Sequence, residues 1–125
     1  MDSAELDIHR ENTAWYIAAN PTDVVLIPKT ERQRTASGGY TEAPGTPRSS
    51  QTFRIIEPNM NTTPPVIKLQ DGRERKAEFM LLGLWDAACA IGDSWTAADG
   101  RVWEIGDIVH ANNYETRALV AEHGR

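Results

Sequence analysis

The tract spanning residues 28–51 constrains this chain more than any other stretch. It holds almost no large apolar residue, is rich in Gly, Pro, Ser and Thr, and separates two apolar runs at 24–27 and 53–56. Compact domains seldom carry so long a loop unless it works. The tract is also basic. From residue 28 to residue 54, Lys29, Arg32, Arg34, Arg48 and Arg54 stand against Glu31 and Glu42, in a chain of formal net charge −5. A mobile basic loop on an acidic body fits a segment that meets a polyanion. The plain alternative is a disordered surface excursion.

The 125 residues are enough for one domain with one modest core, and the reading is a single domain over residues 1–125. One cysteine excludes an internal disulfide. Cys89 lies in the apolar stretch Trp85-Asp86-Ala87-Ala88-Cys89-Ala90-Ile91 and reads as a small buried hydrophobe. The start of the chain, Met1-Asp2-Ser3-Ala4-Glu5, is acidic and does not read as a secretory signal. No apolar run approaches the roughly 18 residues of a membrane span, so a cytoplasmic protein with no membrane partner is expected. The acidic balance argues against general nucleic-acid binding by the whole surface, though not against a local basic loop beside DNA.

Residues 4–19 read as a helix. Asp2 with Glu5 three positions on resembles a capping box, and Asn20-Pro21 stops the helix. After Pro21 the pattern turns to β. Short runs at 23–27, 52–56, 66–70, 78–85, 101–105 and 116–121 are separated by turn signals. Asp71-Gly72 and Asp99-Gly100 are tight-turn pairs, the second bracketed by Trp95 and Trp103. A second polar excursion, residues 58–65, contains the pair Pro64-Pro65 and reads as an extended docking segment. The expected fold is mainly β: a small antiparallel β-barrel with an N-terminal helix over residues 1–20 and a long inserted loop over 28–51.

Chemistry-bearing patterns are sparse. His9, His110 and His123 have no metal-ligand spacing, and no nucleophile elbow or phosphate loop appears. Asp93, Asp99 and Asp107 each adjoin a glycine and read as turn residues. Trp85, Trp95 and Trp103 read as core or subunit-interface residues rather than stacking platforms. No catalytic residue, cofactor or metal is expected, and the chain reads as a non-enzyme.

The ordered series of segments carries a resemblance. It runs from Asp7-Ile8-His9-Arg10-Glu11-Asn12-Thr13-Ala14-Trp15-Tyr16-Ile17-Ala18 through Asp23-Val24-Val25-Leu26-Ile27-Pro28 to Arg34-Thr35-Ala36-Ser37-Gly38-Gly39. It continues with Gln51-Thr52-Phe53-Arg54-Ile55-Ile56, Phe79-Met80-Leu81-Leu82-Gly83-Leu84-Trp85-Asp86, Gly92-Asp93-Ser94-Trp95 and Trp103-Glu104-Ile105. The series resembles the head-to-tail stopper, or head-completion, proteins of long-tailed phages that infect mycobacteria and related actinobacteria. The resemblance implies a virion protein, assembled in the bacterial host cytoplasm, that forms a homo-oligomeric ring, typically a dodecamer, at the head-tail junction. Its implied partners are the portal and adaptor complex above, the tail terminator and tail tube below, and packaged double-stranded DNA in the channel. The loop at 28–51 would then narrow or plug that channel, with Arg32, Arg34, Gly38, Gly39 and Arg48 as its DNA-channel residues. Two other readings stand beside it: a tail terminator or other small head-tail joining ring protein, and a monomeric binding module or small enzyme.

Overall fold

The computed structural model describes residues 2–29, 31–43, 45–57, 64–109 and 113–123, with backbone alone at 31–33 and 41–43. Helix α1 spans Ser3–Ala19, as the capping pattern predicts. Asp2 is extended, and its carboxylate accepts from the Glu5 amide at 2.8 Å, satisfying one of the donors a helix start leaves open. At the other end the Asn20 amide donates to the Ile17 carbonyl before Pro21. Thr13 and Ile17 are the residues α1 buries, against β4 (Gln51–Ile56) and β7 (Phe79–Leu84).

The chain is mainly β, as expected. Strand β1 (Thr22–Val24) opens a six-stranded antiparallel sheet that also contains β8 (Ser94–Thr96), β9 (Val102–Val109) and β10 (Glu115–Glu122). The order is β1-β4-β7-β10-β9-β8. The two ends nearly meet. Beyond β1, Ile27 forms an antiparallel bridge with Ser94 in β8, with amide-to-carbonyl bonds of 2.8 and 2.9 Å in the two directions. The sheet is thereby a nearly closed barrel, which leaves little unpaired edge. The strand expected over 23–27 ends at Val24, but its alternation runs on through exposed Val25 and buried Leu26 to the bridge at Ile27.

Alternation along the strands fills the inside. Val24, Leu26, Phe53, Leu81, Trp95, Trp103, Ile105, Ala118 and Val120 form one buried cluster. Phe53 lies over Gly83, where a Cβ would stand 2.7 Å from the ring, so only glycine fits there. Trp103 pairs directly with Trp95 across β8 and β9 and meets Phe79 edge to face, with centroids 5.0 Å apart.

A second, smaller core lies outside the barrel. Strands β5 (Val66–Lys68) and β6 (Glu74–Lys76) form a ribbon around the Asp71-Gly72 turn, where Gly72 takes φ +84°. Ile67, Leu69 and Ala77 pack from this ribbon onto Ala121 and Leu119 of β10. Strand β10 is therefore apolar on both faces. The β9–β10 register shifts between Leu119, opposite Asp107, and Val120, opposite Ile105. Gly106 is the extra residue of this bulge, and a Cβ there would stand 2.8 Å from Ile67. Gly106-Asp107, expected as a turn, instead seats the ribbon on the barrel.

The tract at 28–51 contains regular structure that its composition did not announce. Strands β2 (Glu31–Arg34) and β3 (Tyr40–Ala43) pair into a ribbon whose turn is closed by Gly38 at φ +86° and by mutual bonds between Thr35 and Gly39. The excursion at 58–65 lies outside the described residues except for Pro64 and Pro65, and His110 and Asn112 lie outside them as well. Among the described residues, no helix is long and apolar enough to cross a membrane.

The tryptophans divide sharply. Trp103 is 7% exposed and Trp15 is 76% exposed. Equilibrium urea unfolding should therefore show Trp103→Ala losing about 3–5 kcal/mol. Trp15→Ala should stay within about 0.5 kcal/mol of the parent. Equal losses would contradict the placement of both residues.

Candidate functional site at the barrel seam

The β2–β3 ribbon is rooted where the barrel closes. Its two stems cross at Pro28 and Gly45, where a Cβ on Gly45 would stand 2.7 Å from the Pro28 side chain. The returning stem then runs beside the seam, and the Arg48 amide donates to the Leu26 carbonyl at 2.9 Å. One residue further on from Leu26, Ile27 makes the bridge to Ser94.

Arg48 locks this junction. Its Nε donates to Oδ2 of Asp93 at 2.8 Å and its Nη2 to Oδ1 at 3.3 Å, a two-pronged pairing. The Ala90 amide also donates to Oδ2, at 3.0 Å. Asp93 is 1% exposed, so its charge is tolerable only with these partners. The hydrogen bond to Asp93 raises the Arg48 pKa against the opposing effect of burial. Cys89 is half-buried against the barrel core, and burial, with the Asp93 charge second, pushes its thiol up. The start of β4 is tied to the same loop, since the Gln51 side chain donates to the Ala88 carbonyl at 2.8 Å and accepts from the Ala88 amide at 2.7 Å.

The structure separates the five expected channel residues into two groups. Arg32 and Arg34 lie on β2, opposite Glu42 and Tyr40 respectively, and Gly38 and Gly39 form the ribbon's tip. Arg34 is exposed; the side chain of Arg32 lies outside what the structure describes. Arg48 is not on the ribbon. It sits at the root as the counterion of Asp93, so its expected place beside Arg32 and Arg34 as a free loop cation is replaced by a structural one.

Two buried structural carboxylates were not legible as such. Asp93 read as a turn residue, yet its position between Ile91 and Trp95 hints at a charge inside an apolar wall. Glu104, between Trp103 and Ile105, is 2% exposed. It accepts from the Gln70 amide at 2.6 Å and meets His123 Nδ1 at 2.8 Å, tying the β5–β6 tip and the end of β10 to β9. His9 stacks on Tyr114 at 4.7 Å. Among the described residues, no group of three His, Cys, Asp or Glu side chains is placed to hold a metal ion. A mostly apolar cavity of about 360 Å³ opens at one barrel mouth, lined by Thr22, Asp23, Ile55, Phe79, Trp95 and Trp103 among others. The Asp23 carboxylate there accepts from the Thr52 hydroxyl at 2.8 Å.

Replacing Arg48 by Ala should cost about 2–3 kcal/mol, below the range for a fully buried pair because Arg48 keeps partial contact with water. Asp93→Asn in the same chain should recover part of that loss, since the stranded charge is removed. Additive losses in urea unfolding would show that the two side chains act independently. Cys89 sets a second expectation. The unfolded thiol ionises at lower pH than the folded one, so its contribution is complete below the ordinary thiol range and is lost as pH rises through the folded value. Cys89→Ala should flatten the alkaline limb of stability against pH; an unchanged limb would assign it to other groups.

No protein-family model and no curated protein matches this chain.

Proposed function

We propose that this chain is a subunit of a ring at a phage head-tail junction, acting as a stopper that extends and gates the DNA channel and joins the portal and adaptor complex to the tail. The observation that carries the reading is the pinned arm: a β-ribbon bearing Arg32 and Arg34, rooted at the barrel seam by the Arg48–Asp93 pair. A rooted ribbon can be aimed, whereas an unstructured loop of the same length would spread its charge over many directions. Copies of the arm converging on a ring axis would bring their cations together at the phosphates of packaged double-stranded DNA. The role is mechanical, with no covalent step. The net acidity of the chain supports it, since a channel that must pass DNA should not hold it tightly. The ribbon also favours the stopper over a plain joining ring, because it offers an element that can enter a channel.

The apolar cavity at the barrel mouth favours one other reading, a monomeric module that takes a small apolar ligand. Such a module would stay monomeric and would tolerate removal of the ribbon.

The deciding experiment deletes the gene from the genome that encodes it and images the particles. Emptied heads apart from complete free tails are expected. Joined, filled virions would overturn the junction role, and tails of abnormal length would assign the chain to the terminator position. In complementation, Arg32→Ala with Arg34→Ala should leave the fold intact and lower DNA retention. Arg48 is left out of that set because its loss disturbs the barrel itself.

A further inference from the structure

Helix α1 is apolar on two sides. Thr13 and Ile17 face the barrel, and Trp15, two positions from each, points away from it. Ile8, two turns before Trp15, is 56% exposed on the same outward face. Around them stand exposed carboxylates: Asp2, Glu5, Asp7 and Glu11. The one helix cation, Arg10, is occupied, with its guanidinium 3.8 Å over the Trp85 ring and its Nε donating to the Asn113 carbonyl. A large aromatic left outside in an acidic setting calls for a partner that is apolar and basic.

The β5–β6 ribbon has that character. Its inner face holds Ile67, buried on β10. Its outer face presents Val66, 62% exposed, directly opposite Lys76, and Lys68 opposite Glu74. All four are exposed, and Arg73 adds a further exposed cation at the turn. Lys68, Arg73, Arg75 and Lys76 outnumber Asp71 and Glu74. The spacing also agrees. Trp15 and Glu11 are one helical turn apart, about 6 Å, and Val66 and Lys68 are one same-face strand step apart, about 7 Å.

We infer that the outward face of α1 in one copy docks on the outer face of the β5–β6 ribbon of the next, with Trp15 and Ile8 against Val66 and with Glu11 and Asp7 beside Lys68 and Lys76. Within a chain, α1 lies over β4 and β7 while the ribbon lies over β9 and β10. The two surfaces occupy different walls of the barrel. The contact is therefore head-to-tail, and each copy added leaves one helix and one ribbon free until a ring closes. This inference rests on the ring reading above and supplies its subunit interface.

The test is zero-length carbodiimide coupling in an equal mixture of isotope-labelled and unlabelled protein, read by mass spectrometry. Mixed-isotope links joining Asp7 or Glu11 to Lys68 or Lys76 are expected. Trp15→Ala should cut them about tenfold or more while leaving the unfolding curve in place. Glu11→Lys and Lys68→Glu should each weaken assembly in sedimentation, and the two combined in one chain should restore it. Links confined to one isotope, links indifferent to Trp15→Ala, or charge reversals that fail to compensate would each overturn the interface. The gene-deletion particles separate this from the ring reading. Emptied heads without mixed links would overturn this interface alone, whereas joined virions would overturn the junction role as well.

Discussion

Asp93 is a carboxylate sealed inside a barrel wall, and the pairing that makes it tolerable organises the rest of the structure. Its oxygens take two bonds from Arg48 and one from the Ala90 amide. Arg48 belongs to the stem that returns from the β2–β3 ribbon, and its own amide binds Leu26 beside the Ile27–Ser94 bridge. One ion pair therefore serves the seam of the barrel, the root of the ribbon and the loop before β8. A pair of apolar residues of similar size could hold such a seam with no less stability. What the charged pair adds is specificity: a slip of the returning stem would strand a buried charge, so a single register is favoured over its neighbours.

The parts of this arrangement that were legible in the sequence are those set by local rules. Asp2 before the helix, Asn20-Pro21 after it, and the glycines of Asp71-Gly72 and Asp99-Gly100 each act within a few residues of themselves. The apolar runs at 52–56, 78–85 and 116–121 likewise lie within one or two residues of β4, β7 and β10. The illegible parts depend on distant partners. Nothing near Asp93 in the chain predicts Arg48, 45 residues away. Gly106 looks like half of a turn until Ile67 is seen lying on it. The ribbon at 31–43 has polar residues on both strands, so no alternation marks it, and its order comes from pairing and from the anchored root. Arg48 illustrates the same point for the candidate site. By composition it is one more loop cation, and by position it is a structural residue.

The molecule places its charges and its apolar surface in a consistent way. Two of the buried carboxylates, Asp93 and Glu104, hold ribbons onto the barrel, each beside a nitrogen side chain, Arg48 and His123 respectively. The exposed charged side chains at α1 are the carboxylates of Asp2, Glu5, Asp7 and Glu11, whereas the β5–β6 ribbon carries exposed Lys68, Arg73 and Lys76. The outward helix face keeps Ile8 and Trp15, although an ordinary solvent-facing helix would carry polar residues there. At 76% exposure Trp15 packs little against its own subunit, so that departure fits a face covered by another molecule.

Two ribbons on one barrel divide the labour under the ring reading. The β5–β6 ribbon is held down along its length by Ile67, Leu69 and Ala77, and by Glu104 at its tip. It is suited to a contact that must persist. The β2–β3 ribbon is rooted by Pro28, Gly45 and Arg48, and its two strands pair with each other over 31–34 and 40–43. Local stability follows buried apolar contact, and among the described residues 34–40 none belongs to either core cluster, so under the ring reading this is the ribbon that would move. A gate needs that combination. Under the ring reading, the element that blocks a channel has to swing while its hinge stays fixed, and the buried ion pair would keep the hinge on the seam while exposed Arg34 beyond it follows the polyanion.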